Sequence, residues 1–132
     1  YSKNMKRPTM SIIHYWDFEQ KAWNKNGKYT MEYDTAWNIT QRALSSWDII
    51  NQKWRNSIRY TSKWDNNKKI WEAKQIWDNM EKKWWNSNKI EFVYNENGKL
   101  KMEKNYNWNS EQKKWVLSNR ILYSHQYPKP KL

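Results

Sequence analysis

The chain of 132 residues contains no cysteine, so it has neither disulfide bonds nor thiolate metal sites. It also has no run of 18 apolar residues, which excludes a transmembrane helix. Hydrophobic residues make up only 37% of the chain, and aromatic residues alone account for 17%. Because disordered chains are poor in aromatic residues, the low hydrophobic content does not indicate disorder.

Residue sets that could carry out catalysis are also absent from the sequence. The two histidines are His14 and His125, and no nucleophile, base and orienting group is grouped around either. Asp17, Asp48 and Asp78 recur at intervals of 31 and 30 residues, whereas calcium loops place several oxygen ligands within about a dozen residues. We therefore expect no enzymatic activity, no cofactor and no metal site.

Tryptophan recurs with a nearly constant period, in intervals of 31, 30 and 31 residues. The first ladder is Trp16, Trp47, Trp77 and Trp108, and the second ladder is Trp23, Trp54, Trp84 and Trp115. The same intervals separate a basic row, Lys28, Arg59, Lys89 and Arg120, and a third ladder, Tyr33, Trp64, Tyr94 and His125. Such a period is typical of an internal repeat. We predict a single array over 1–132, with a partial repeat at 1–8, repeats at 9–38, 39–69, 70–99 and 100–126, and a tail at 127–132.

Alternation of apolar and polar residues downstream of each second-ladder tryptophan predicts β-strands. The Trp-(Asp/Asn)-x5-Trp spacing predicts a turn in which Trp16 faces Trp23 across a hairpin, and likewise in the other three repeats. Four such hairpins give an all-β fold, an antiparallel meander of about eight strands. A small closed barrel is the alternative, but eight tryptophans would overfill its interior. An open, twisted or spiralling sheet is therefore favoured.

Strict alternation also assigns side chains to the two faces of this sheet. It predicts that Trp54, Asn56 and Ile58 share a face, with Arg59 on the other. The whole basic row would then lie opposite the tryptophan ladders. Asn56, Asn86 and Asn88 are expected on the tryptophan face, where they make it polar for a core.

The turn between repeats is clearest at Tyr94-Asn95-Glu96-Asn97-Gly98-Lys99, since Asn-Gly is a strong hairpin signal. With the following strand that ends at Trp108-Asn109, this pattern resembles tryptophan-rich, YD-like tandem β-repeats of secreted and surface proteins of Bacteroidetes. It is distantly similar to the YD repeats of Rhs-type shells. The resemblance covers nearly the whole chain and implies an exported bacterial protein without catalytic activity.

Three functions follow from these patterns as hypotheses. The first is a non-enzymatic scaffold or interaction module, in which the eight ladder tryptophans hold the hairpins together and the partner is a second copy or an adjoining part of a longer chain. The second is carbohydrate or cell-envelope glycan binding, because exposed tryptophans stack on sugar rings. The third is polyanion binding at the basic row, favoured by the net charge of +12.

Two further partners are disfavoured by the sequence. Nucleic acid is not expected as a ligand because single-strand binders place aromatic and basic residues in one groove, whereas here they are expected on opposite faces. Membrane insertion is not expected either, since polar residues such as Lys25, Gln75 and Lys104 would face the lipid.

Overall fold

The computed structural model describes residues 7–126, which form one sheet of eight antiparallel strands. The strands are β1 (Met10–Asp17), β2 (Ala22–Tyr33), β3 (Ile39–Asp48), β4 (Lys53–Asp65), β5 (Lys68–Asp78), β6 (Lys83–Tyr94), β7 (Leu100–Asn109) and β8 (Lys114–Leu122). They pair in sequence order from β1 to β8, so the sheet is an open meander and is not closed into a barrel. The predicted all-β meander of eight strands is confirmed.

Consecutive strands form four hairpins, which we number 1 (β1–β2), 2 (β3–β4), 3 (β5–β6) and 4 (β7–β8). Hairpins 1, 2 and 4 lie within the predicted repeats 9–38, 39–69 and 100–126, whereas hairpin 3 begins at Lys68, two residues before the predicted repeat 70–99. The partial repeat predicted at 1–8 lies largely outside the described residues, and the tail at 127–132 lies wholly outside them.

Within each hairpin, the strands are joined by a four-residue loop that begins after an Asp or Asn. In hairpin 1 the Asp17 Oδ1 atom accepts hydrogen bonds from the backbone N–H groups of Glu19 and Gln20, at 2.9 and 3.0 Å. Asp48, Asp78 and Asn109 accept the equivalent pair of bonds. The last loop residue has a left-handed φ of 51° to 57° in all four loops: Lys21, Gln52, Lys82 and Lys113. This loop aligns the flanking tryptophans opposite each other.

The connections between hairpins use two turn types. Trp37 and Gly98 occupy the same place in their turns, and both have positive φ, 65° and 78°. Each N–H bonds the carbonyl of the Asx residue three positions earlier, Asp34 or Asn95. The remaining connection, between hairpins 2 and 3, is a two-residue turn in which Asn66 and Asn67 both have positive φ. Among residues other than glycine, Asn tolerates this conformation best.

A β-bulge interrupts the second strand of every hairpin, and it changes which residues share a face. In hairpin 2, Ser45 pairs with Asn56 and Leu44 pairs with Ile58, so Ser57 is the extra residue. The equivalent extra residues are Asn26, Ser87 and Ser118. Beyond each bulge the alternation is shifted by one residue. Ile58 and Tyr60 therefore lie on the other face of the sheet from Trp54. The prediction that Trp54 and Ile58 share a face is wrong.

The open end of each hairpin is tied by a side chain of the third ladder. The Tyr33 hydroxyl donates to the Pro8 carbonyl at 2.7 Å, and the Tyr94 hydroxyl donates to the Lys69 carbonyl at 2.7 Å. Trp64 Nε1 donates to the Ile39 carbonyl at 2.8 Å, and His125 Nε2 lies 2.6 Å from the Leu100 carbonyl. Each donor is 25 residues downstream of its acceptor. Three kinds of donor group, the tyrosine hydroxyl, the tryptophan indole and the histidine imidazole, thus make the equivalent hydrogen bond in the four hairpins.

The sheet is a single layer, and no hydrophobic residue among residues 7–126 is buried. The buried positions in that range are Gly27, Ser45 and Ser62. The accessible surface is 10862 Å², against roughly 7,600 Å² for a globular protein of the same mass. Both faces of the sheet are consequently in contact with solvent.

Candidate functional site

The tryptophan face is the face of the sheet that carries the first and second ladders. The registers pair Trp16 with Trp23, and they pair the equivalent residues of hairpins 2, 3 and 4 in the same way. The predicted cross-strand pairing is therefore confirmed in all four hairpins. The ring centroids are 5.1 to 5.2 Å apart and the ring planes meet at 66° to 70°, an edge-to-face geometry.

The basic row lies on this same face, so its predicted position opposite the tryptophans is wrong. The Lys28 Nζ atom lies 5.1 Å from the ring centroid of Trp54, in the next hairpin. Arg59 lies 4.6 Å from the Trp84 ring, and Lys89 lies 5.3 Å from the Trp115 ring. The bulges cause this difference, because each adds one residue between the second-ladder tryptophan and the basic residue. Every one of these contacts joins a hairpin to the hairpin that follows.

Polar contacts add to the connection between hairpins 2 and 3. The Arg59 guanidinium donates to Gln75 Oε1 through Nε, at 2.8 Å, and through Nη2. Gln75 Nε2 donates in turn to Asn86 Oδ1 at 2.9 Å. Burial lowers the pKa of Arg59 from its ordinary value, and the nearby Glu32 carboxylate opposes this shift. Asn86 is on the tryptophan face as predicted, but Asn88 pairs with Lys74 and Asn107 on the opposite face.

Basic residues dominate the tryptophan face of the strands. Asp65 and Lys68 form the last pair of β4 and β5, beside the turn, and are not counted here. The other acidic side chains on this face are Glu32 and Glu91, and the basic side chains are Lys25, Lys28, Arg59, Lys63, Lys89, Lys104 and Arg120. Glu91 accepts a hydrogen bond from the Tyr106 hydroxyl at 3.2 Å. Burial and this carboxylate raise the pKa of Tyr106. The face is therefore both cationic and aromatic.

The two ends of the face differ from its middle. Trp23 is 66% exposed and Trp16 is 38% exposed, whereas the other six ladder tryptophans are half-buried. Within residues 7–126 no cation lies over the Trp23 ring, and no tryptophan ring lies under Arg120. At each of the three junctions between hairpins, a basic residue lies over a second-ladder tryptophan. Among the described residues, Trp23 lacks the cation and Arg120 lacks the tryptophan of this contact.

The opposite face contains shallow depressions lined by polar and aromatic residues. One of about 320 Å³ includes Arg42, Tyr60, Trp64 and Glu72 among its lining residues. Burial raises the pKa of Glu72, but hydrogen bonds from Lys69 and Ser62 and the nearby positive charges outweigh it, so the net pKa lies below the ordinary value. This group resembles a local ion-pair cluster, in which Lys69 lies 2.9 Å from Glu72.

The two histidines are separated in the structure. His14 is on β1, opposite Lys25, and His125 is bound to the Leu100 carbonyl at the far end of hairpin 4. Within the described residues, no three His, Cys, Asp or Glu side chains are close enough to hold a metal ion. The same residues include no helix that is long and apolar enough to cross a membrane.

Two features of this site were missed by sequence reasoning. The first is the bulge, although a small polar residue at every copy, Asn26, Ser57, Ser87 and Ser118, was a readable signal. The second is the shared role of the third ladder, which contains Tyr, Trp and His at one position. What these residues have in common is a ring that carries an N–H or O–H donor, and that property could have indicated a hydrogen bond.

No protein-family model matches the sequence, and no curated protein matches it. A solved structure of a protein with unknown function from Bacteroides fragilis NCTC 9343 is 19% identical, with a TM-score of 0.77 over 92% of this chain and 89% of that chain. A DUF3836 family protein from Bacteroides vulgatus ATCC 8482 is 19% identical, with a TM-score of 0.65 over 75% of this chain and 99% of that chain. A DUF3836 family protein from Parabacteroides distasonis ATCC 8503 is 16% identical, with a TM-score of 0.56 over 72% of this chain and 86% of that chain. At these identities the likeness shows the fold alone.

Proposed function

We propose that this protein is a non-enzymatic β-repeat scaffold or interaction module, secreted or carried on the bacterial cell surface. The observation that supports it is that side chains of the basic row contact second-ladder tryptophans of the neighbouring hairpin. Lys28, Arg59 and Lys89 each contact a tryptophan of the next hairpin, so the most distinctive residues of the chain connect structural units. The single-layer sheet leaves two broad faces accessible to partners.

The extracellular location rests on the resemblance of the Tyr94–Lys99 turn and its flanking strands to surface repeats, so it needs a direct test. Intact cells that encode the protein should be treated with an added protease, with a cytoplasmic enzyme followed in parallel as the control. We expect the protein to be degraded, or to be found in the culture medium, while the control stays intact. Protection of both proteins until the cells are lysed would contradict an extracellular scaffold.

A second candidate is binding of an anionic polysaccharide, and the observation that favours it is the shared face of tryptophans and cations. Trp23 offers a ring that is 66% exposed and carries no cation among the described residues. By contrast, a cation already lies over the rings of Trp47, Trp54, Trp84 and Trp115. Sugar stacking would therefore depend on Trp23 more than on the interior tryptophans.

Tryptophan fluorescence separates the two candidates. The chain should be titrated with alginate, with uncharged dextran and with single-stranded DNA, at low and at physiological salt. A scaffold predicts at most weak binding of the two polyanions that disappears with salt. Saturable binding of alginate that persists at physiological salt, and that is lost in Trp23→Ala but not in Trp85→Ala on the opposite face, would favour the polysaccharide instead.

A further inference from the structure

The two edge strands, β1 and β8, have the highest proportion of apolar residues among the eight strands of the described sheet. Each is hydrogen-bonded on one side only within residues 7–126. Ile12 and Ile13 on β1 are 40% and 42% exposed, and Ile121 and Leu122 on β8 are 44% and 62% exposed. Edge strands that remain unpaired are usually protected by lysines or proline, but β1 contains neither.

The interior junctions between hairpins share one register. Where β2 meets β3, Lys28 lies opposite Ser45, two residues before the first-ladder tryptophan. Arg59 lies opposite Gln75 and Lys89 lies opposite Tyr106, again two residues before that tryptophan. In each junction the basic residue also lies over the second-ladder tryptophan of the next hairpin. Register and cation–π contact therefore occur together three times.

The same register fits β8 of one copy to β1 of another. It places Arg120 opposite His14, Ile121 opposite Ile13, and Leu122 opposite Ile12, so the exposed apolar residues of both edges meet. It also brings Arg120 to the exposed ring of Trp23. An open depression of about 430 Å³ is lined by His14 and Trp23, at the place where that guanidinium would lie.

We propose that copies of this chain associate head to tail, with β8 of one copy antiparallel to β1 of the next in the register of the interior junctions. This inference rests on the proposed scaffold function and names its partner as a second copy. The contact is heterologous, since two different edges meet, and it leaves the same two edges free at the ends of the assembly. Such a contact generates open linear assemblies, or rings where the rotation between copies closes, rather than closed two-fold dimers.

Paired cysteines provide the direct test, because the natural chain contains none. Purified His14→Cys/Arg120→Cys protein, which lacks the Arg120 guanidinium, should be oxidised mildly at a concentration well above that at which the unmodified chain associates, and separated on a non-reducing gel. We expect a ladder of covalent dimers, trimers and longer species. The Lys28→Cys/Ser45→Cys variant, which has the same relation inside one chain, should form only an intramolecular bond and reports that the geometry permits the disulfide.

A register control completes the experiment. In His14→Cys/Asn119→Cys the second cysteine moves one residue and faces the opposite side of the sheet, so several-fold fewer cross-links are expected. Equal cross-linking in both variants, or none in either while the Lys28/Ser45 pair closes, would overturn the proposed register and contact.

Sedimentation velocity of the unmodified chain tests association without cysteines. Its sedimentation coefficient should rise with concentration, and Arg120→Glu should shift the association to about tenfold higher concentration. Near-ultraviolet circular dichroism checks that the variant stays folded. A wild-type chain that remains monomeric at submillimolar concentration would refute self-assembly, while surface exposure of the protein on cells would still support a scaffold with another partner.

Discussion

Trp54 and Trp23 hold the same place in their hairpins but have different surroundings. Both pair edge-to-face with a first-ladder tryptophan, at 5.1 and 5.2 Å. Trp54 also lies under Lys28 of the preceding hairpin and is half-buried. Trp23 has no preceding hairpin among the described residues and is 66% exposed. The interior hairpins thus differ from the edge hairpins in their neighbours, not in their own sequence pattern.

This difference indicates where the stability of the sheet comes from. An isolated two-stranded hairpin is at best marginally stable in water, and each hairpin here buries no hydrophobic residue within the described range. The cation–π contacts and the backbone ladder to the next hairpin supply what a single hairpin lacks. Stability is therefore expected to be a property of junctions, as in other quasi-one-dimensional folds.

The largest expected effect comes from removing the tryptophan of an interior junction. Trp54→Ala loses the aromatic pair, the cation–π contact and half-buried apolar area, which together should cost about 2–4 kcal/mol in the free energy of unfolding. Trp23→Ala, as the matched edge variant, should cost about 1 kcal/mol. Urea unfolding of dilute, monomeric protein measures both. Equal losses would mean that the junction adds nothing to the hairpin.

A smaller effect is expected from the basic row. Arg59→Gln removes the cation over Trp84 and the hydrogen bonds to Gln75, and should cost about 1–2 kcal/mol. Arg120→Gln, at the edge, should change the free energy of unfolding by less than about 0.5 kcal/mol under the same dilute conditions. If Arg120→Gln were as costly as Arg59→Gln, the distinction between interior and edge would not hold.

The smallest effect concerns the hairpin turns and depends on pH. A side-chain hydrogen bond from Asn51, backbone hydrogen bonds and Arg55 lower the pKa of Asp48 below 3.8, while the backbone N–H of Glu81 and the Trp85 indole lower that of Asp78. A lowered folded-state pKa contributes stability above the unfolded pKa, and this is lost as the pH falls through the folded value. The turn of hairpin 4 has Asn109 instead and lacks this dependence.

Asp48→Asn/Asp78→Asn should therefore keep the turns and reduce the fall in the thermal midpoint between about pH 4 and about pH 2. Thermal unfolding followed by circular dichroism, in matched buffers, gives the two pH profiles. A double variant whose profile is as steep as that of the wild type would show that other groups control the acid response. A large loss of stability at neutral pH would instead show that Asn cannot replace Asp in these loops.

Much of the fold was predictable because period-two alternation and turn residues are local signals. The Asp17-to-Trp23 spacing predicted a turn that pairs Trp16 with Trp23, and the structure has the equivalent pair in all four hairpins. The face of Arg59 was not predicted correctly, because one bulged residue at Ser57 reverses every later assignment. A bulge alters pairing without altering composition, so alternation alone does not reveal it. Because of this error, the sequence also wrongly predicted that aromatic and basic residues lie on separate faces. That separation was the reason for disfavouring nucleic acid as a ligand, and the structure removes it.

The absence of a buried apolar core from residues 7–126 has a calorimetric consequence. The heat-capacity change of unfolding arises mainly from newly exposed apolar surface, and amounts to about 12–15 cal/mol/K per residue in globular proteins. A sheet whose two faces are already hydrated has less such surface to expose, so its value per residue should be lower. The curve of stability against temperature is then flatter, and the protein should lose little stability on cooling.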